Sequence, residues 1–422
     1  MAVPSQEPPA APAATTESSV PSESIGPEIN DHLATLWDIW TTSAAKTPDA
    51  EALVSMWQTE SPTWTITPII PNPDDHTTPS PYIRWTYRDL YARSSALASQ
   101  LEAHGVKPGD RVALFLWNSA EWALFAWASA RLGAVLCPLD PRVIATDGQS
   151  LLSATTPAVI VVQDEAGTAA LSIPDLPIKL LIQCSGSLLQ PNYTSLSSLL
   201  TFAPPTFTPE SPLSLPHPLP SPSPVPFSAP ALIVFTSGTT STPKGCLHSH
   251  SHLLAQTHNY DRNPPLSPPD RWVVHMPASH IFAINHLLRA WREGDAVILP
   301  SHSFSVHSTL DALVKEKGTM MSAVPALVKA LVGHPQFPGR EELRLNLVAI
   351  GGTVITPEDI RLCREGLGAK DAVQGMFSLI LPCLVCSCSL GERNNVWGFL
   401  VPPNNCERGM TNGYFETRVW DE

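Results

Sequence analysis

Residues 112–139 constrain the fold more tightly than any other stretch. Residues 112–116 form an apolar run of strand length, and 134–139 form a second. Between them, 120–132 is apolar nearly all round, carrying Trp122, Leu124, Phe125 and Trp127, with Asn118-Ser119 as a start signal and Gly133 as a stop. An all-apolar helix of this length, with Glu121 and Arg131 at its ends, is buried against a sheet rather than in a bilayer. Strand, helix, strand in this rhythm predicts a right-handed βαβ unit and a parallel sheet. Apolar runs at 158–162 and 179–183 predict two further strands.

A second feature bears on chemistry. The apolar run 231–235 leads into Phe235-Thr236-Ser237-Gly238-Thr239-Thr240-Ser241-Thr242-Pro243-Lys244-Gly245. Small residues let backbone approach a ligand, N–H groups and hydroxyls suit phosphate oxygens, and Lys244 adds a point charge. Pro243 before the lysine and Gly245 after it distinguish the loop from a Walker A sequence. Residues 247–260 then read as a helix. A polar connecting loop is the plain alternative, but the density of hydroxyls and the lysine behind a core strand favour phosphate.

The loop resembles the signature of the adenylate-forming superfamily, which includes acyl-CoA synthetases, peptide-synthetase adenylation domains and luciferases. Ser237-Gly238-Thr239-Thr240 and Pro243-Lys244-Gly245 match it residue by residue, with Ser241 where the family usually carries Gly. Trp85-Thr86-Tyr87, 106–113, Asn118-Ser119 and the segment from Gly133 through Leu139 are similar to that family's first large-domain motifs. The implied fold class is α/β, with stacked, mostly parallel sheets flanked by helices, as in the large domain of such an enzyme without its lid. The resemblance further implies that Thr236, Ser237, Gly238, Thr239, Thr240, Lys244 and Gly245 hold the phosphates of ATP, with Lys244 and Thr239 as the catalytic pair. Gly351, Gly352 and Thr353 would flank adenine, and His280, in Pro277-Ala278-Ser279-His280-Ile281-Phe282, would line the acid pocket; Ala283 stands where relatives usually have Gly. The implied cofactors are ATP, Mg²⁺ and CoA.

Three segments bracket this domain. Residues 1–32, rich in Pro, Ala, Ser and Glu, read as disordered. In 203–230, eleven of 28 residues are proline, which reads as a linker inside the large domain of 33–375. The match fades at Ala372-Val373-Gln374-Gly375, and 376–422 reads as a tail foreign to the family, from a mis-spliced transcript or an insertion. Asn412 stands where a Mg²⁺-holding Glu would follow Thr411, and no lysine follows Lys370 to serve as the lid lysine. The expectation is an acid–thiol ligase large domain, truncated and impaired; the alternative is a non-enzymatic nucleotide- or acyl-binding remnant.

Composition excludes other classes. With 422 residues, 43% hydrophobic, 15% charged and a net charge of −13, the chain is acidic and lacks a basic stripe, which argues against nucleic acid. No segment reads as a membrane span or secretory signal, and the eight cysteines are scattered, so a reduced cytoplasmic setting is expected, while the resemblance implies a small carboxylic acid partner. Cys383 and Cys386 make one CxxC without a second pair, a weak zinc signal. His248 and His252 would share a helix face, but no acidic third ligand accompanies them, so no protein-held metal is expected. No GxGxxG surrounds Gly351-Gly352, and Ser237 lacks a nucleophile-elbow pattern.

Overall fold

The computed structural model describes residues 34–60, 66–68, 82–188, 190–201, 225–235, 244–257, 269–375, 386–388 and 396–398. Two large sheets dominate. The smaller has seven strands in the spatial order Gly245–Ser249, Pro230–Phe235, Val135–Leu139, Arg111–Phe115, Val159–Val162, Leu180–Gln183 and Thr194–Ser195. All its pairings are parallel except the first, where Gly245–Ser249 runs against Pro230–Phe235. The larger sheet has nine strands, and its parallel centre runs Asp371–Gly375, Leu347–Gly351, Met320–Ala323, Arg271–Val273, Ala296–Leu299 and Glu51–Ser55. Ile83–Thr86 closes one edge antiparallel, and Cys386–Cys388 and Val396–Gly398 extend the other. The α/β class and the mostly parallel sheets expected from the sequence are both present.

The βαβ unit forms as the pattern demands. Ser119 caps helix Ala120–Leu132 by accepting from Trp122 N, and every residue of that helix is buried. Gly133 ends it at φ 66°, the left-handed conformation glycine adopts without a Cβ penalty. A methyl group there would also come within 2.6 Å of Val225 Cγ2. One core cluster takes residues from both sheets: Val112, Val159 and Leu232 from the smaller, Leu53, Trp272 and Val297 from the larger. Indoles fill its centre, with Trp40 stacked on Trp127 at 4.9 Å and Trp291 edge-on to Trp127 at 5.9 Å. Thr86 caps helix Tyr87–Ala103 in a reciprocal arrangement with Asp89, and Thr356 does the same with Asp359 at Pro357–Arg361.

Three expectations need correction. Residues 247–260 are not one helix: Gly245–Ser249 is a strand, and helix His250–Thr257 follows. The strand wins because its amides pair with Pro230–Phe235 and Leu247 packs against Val135, Cys137 and Ile233. His248 therefore lies on a strand and shares no helix face with His252, and no group of three His, Cys, Asp or Glu able to hold a metal occurs among the described residues. The last part of the proline-rich stretch is tied down: Ser251 N donates to Phe227 O and His250 N to Ala229 O. Residues 1–33, 202–224 and most of 376–422 lie outside the described residues. Among those described, no helix is long and apolar enough to cross a membrane.

Candidate active site

Strand order locates the crevices. In an open parallel sheet, a gap forms beyond the strand C-termini where successive connections diverge to opposite sides. The larger sheet has such a point between Arg271–Val273 and Met320–Ala323, since the chain goes one way to Ala296–Leu299 and the other way to Leu347–Gly351. The smaller sheet has one between Arg111–Phe115 and Val159–Val162.

At the larger sheet's switch point, the segment leaving Arg271–Val273 runs through Met276 and Ala278 to His280. His280 is half-buried and occupies the N-cap of helix Ile281–Glu293 without capping it through its side chain. Burial holds its imidazole below the ordinary value of 6.5; Asp140 nearby opposes this and Arg142 reinforces it. His280 is thus neutral at pH 7, able to donate one hydrogen bond and accept another. Asp140 follows strand Val135–Leu139. Burial would raise its pKa, but hydrogen bonds from Arg142 Nε, at 3.0 and 2.9 Å to its two oxygens, outweigh that and hold it low. The sequence reading passes over Asp140 and Arg142, which no motif marks.

Asn118 fixes this segment from the other sheet. It is buried, its Nδ2 donates to Met276 O at 2.9 Å, and its Oδ1 accepts from Ala278 N at 2.8 Å. Its own carbonyl accepts from Trp57 Nε1. In the sequence Asn118 passed as part of a helix start; nothing in its spacing to residue 276 betrays this contact.

Gly351 ends strand Leu347–Gly351 opposite Gly375. Gly352 follows at φ +81°, and a Cβ added there would lie 3.1 Å from Val324 Cγ1. Gly352 and Thr353 are exposed, and Val324 directly follows Met320–Ala323. The glycine pair therefore follows the strand beside Met320–Ala323, with Gly352 against Val324.

At the smaller sheet's edge, Gly245 pairs with Phe235 and Lys244 is exposed just before it. A Cβ on Gly245 would meet Ile233 Cγ2 at 3.2 Å and Phe235 Cε1 at 3.4 Å. Thr236, Ser237, Gly238, Thr239, Thr240 and Ser241 lie outside the described residues. The smaller sheet's switch point is filled instead. Glu121, fully buried, accepts from Gln58 Nε2 at 2.7 Å and from Gln163 Nε2 at 3.0 Å.

Comparison with known proteins bears on the family and the fold. A family model described as AMP-binding enzyme matches residues 40–379. An indoleacetate–CoA ligase of Aromatoleum aromaticum is 29% identical over 288 residues, 67% of this chain and 53% of the relative. A feruloyl-CoA synthase of an Amycolatopsis species is 26% identical over 303 residues, 70% of this chain and 56% of the relative. The chain thus spans about half the length of the curated relatives it matches. Among solved structures, the N-terminal domain of FACL13 from Mycobacterium tuberculosis superposes with a TM-score of 0.64 at 20% identity, covering 84% of this chain and 79% of that one; it shares the fold. With most of its length matched by one family model and its sheets arranged as in that structure, the chain belongs to the AMP-binding enzyme family.

Proposed function

We propose that the chain is the large domain of an ATP-dependent carboxylic acid-activating enzyme, with His280 beside the acid and Gly351, Gly352 and Thr353 against adenine. Residues 236–245, with Lys244 and Thr239 foremost, would hold the phosphates. What supports this reading is that His280 and the glycine pair both lie in segments that follow parallel strands of the larger sheet, in a chain of the AMP-binding family. In the reaction, a substrate carboxylate oxygen bonds to the α-phosphorus of ATP and pyrophosphate departs. A thiol such as that of CoA then attacks the acyl carbon and AMP leaves.

This chain's residues serve that chemistry by position and charge. Lys244 offsets charge on the departing pyrophosphate. The glycine pair leaves room for a planar base. Neutral His280, at the N-terminus of a helix whose dipole favours anions, can hydrogen-bond a carboxylate. Mg²⁺ would arrive with the nucleotide, screening its phosphate oxygens.

The finer reading is that activation by this chain is weak, because Asn412 stands where the resemblance would place the metal-holding carboxylate. Thermal unfolding with and without ATP, paired with ATP–pyrophosphate exchange over a panel of carboxylic acids, tests both levels. Nucleotide binding should raise the melting temperature of the native chain, and Lys244→Ala should abolish most of that rise. Little exchange is expected; brisk exchange overturns the weak-activation reading and upholds acid activation. Binding with no exchange for any acid favours a nucleotide-binding remnant. No effect of ATP at all removes the proposal.

A further inference from the structure

Asn118 is gripped from the larger sheet. Trp57 lies in the turn directly after strand Glu51–Ser55, and His302 lies in the bend after Ala296–Leu299, the strand paired beside it. Trp57 Nε1 donates to Asn118 O at 2.9 Å, and Asn118 N donates to His302 O at 3.2 Å. With the side-chain bonds to Met276 and Ala278, every hydrogen-bonding group of this buried residue is engaged. Ring packing closes the clasp: the His302 imidazole stands edge-on to Trp57 at 5.7 Å and to Trp117 at 5.2 Å. Both indoles are half-buried, and His302 is exposed.

What Asn118 holds in its turn is a tight bend. Its Oδ1 fixes Ala278 N, and His280 N donates to Pro277 O at 3.0 Å, which closes the bend on His280. A side-chain amide is placed only as accurately as its own backbone is held. The start of helix Ala120–Leu132 has other supports, since Ala120 N donates to Gln58 Oε1 at 2.8 Å and Ser119 caps the helix. The bond from Trp57 therefore bears on Asn118 rather than on the helix.

We propose that Trp57 and His302 are positioning residues for the acid site. They fix the Asn118 backbone, and the Asn118 side chain then holds residues 276–280, His280 included, in one arrangement. The assignment to the acid rests on the reading of His280 given above; the mechanical link from Trp57 to the bend does not.

Two variants of the full chain test it. Trp57→Phe keeps a ring and removes the indole N–H, whereas His302→Ala keeps the carbonyl and removes the ring packing. Amide hydrogen exchange reads the link without any ligand. In Trp57→Phe, residues 276–280 should exchange roughly tenfold faster, because a buried carbonyl loses its donor. His302→Ala should act at the same residues, while 159–162 and 347–351 keep the parent's rates in both. Unchanged exchange at 276–280, or equal acceleration everywhere, overturns the proposal; should Trp57→Phe not fold, His302→Ala, at an exposed position, decides. In ATP–pyrophosphate exchange, Trp57→Phe should raise KM for the acid severalfold and leave KM for ATP unchanged. If His280→Ala raises KM for the acid and Trp57→Phe does not, the positioning role falls. If the bend loosens and neither variant changes that KM, the reading of His280 falls and the link to the bend stands.

Discussion

Asn118 Oδ1 accepts from Ala278 N at 2.8 Å while Asn118 Nδ2 donates to Met276 O at 2.9 Å, so one amide reads both polarities of the backbone turn that delivers His280. A residue at the end of a strand in one sheet thereby sets the crevice of the other. Replacing Asn118 with Leu strands a buried N–H and a carbonyl. A loss of about 1–3 kcal/mol per group is expected, read as a lower urea midpoint with an unchanged slope. In any activity assay the variant should raise KM for the acid more than KM for ATP. An equal rise in both would separate Asn118 from His280.

Glu121 offers a different test. Burial lifts its carboxyl above the ordinary 4.5, against hydrogen bonds from Gln58 and Gln163 that favour the anion. The folded chain therefore holds this proton at pH values where the unfolded chain has released it. Stability falls as pH rises from about 4.5 through the raised folded value, and the loss persists above it. Glu121→Gln removes that loss, and once the Gln163 amide turns over, the new N–H can donate to Gln163 Oε1, which has no partner among the described residues. Urea titrations at several pH values should show the variant gaining on the parent as pH rises from 4.5 to neutral; parallel curves would refute this. Glu121→Ala should cost about 1–3 kcal/mol for each amide it strands.

His275 is 1% exposed, packs edge-on to Phe304 at 5.2 Å, and has no partner for either ring nitrogen among the described residues. Burial depresses its pKa from 6.5 to about 4. Between those values the unfolded chain takes up a proton that the folded chain refuses, so stability is full above pH 6.5 and drains away toward pH 4. The full effect is on the order of 3 kcal/mol. His275→Leu should be at least as stable as the parent at pH 7 and clearly more stable at pH 5. A variant less stable at both would show that the ring's packing outweighs its unmet polarity.

Gly352→Ala places a methyl group 3.1 Å from Val324 Cγ1 on backbone at φ +81°. The expected cost is about 1–2 kcal/mol in unfolding free energy. ATP should also stabilise this variant less than the parent. A full ATP response would remove the glycine pair from the nucleotide's vicinity.

The parallel architecture was legible because its signals are local. Ser119 and Gly133 bound a helix between two apolar runs, and each behaves as its chemistry dictates. The strand at Gly245–Ser249 was not legible, because its identity rests on pairing with Pro230–Phe235, and alternate histidines mask its period of two. In the site, Lys244, His280 and Gly352 stood out by residue type and order. The contacts of Asn118 with Met276 and Ala278, the approach of Asp140 to His280, and the seal made by Glu121 with Gln58 and Gln163 join residues far apart in the chain. No motif spacing records such meetings; only the packing of the two sheets creates them.

The direct pairing of Phe235 with Gly245 fixes where the intervening segment leaves and rejoins the sheet. Its two ends are held about 5 Å apart by a ladder that runs back to Pro230 and Ser249. Insertions or exchanges between those ends need not propagate into the sheet, because closing the loop is already met by the hairpin.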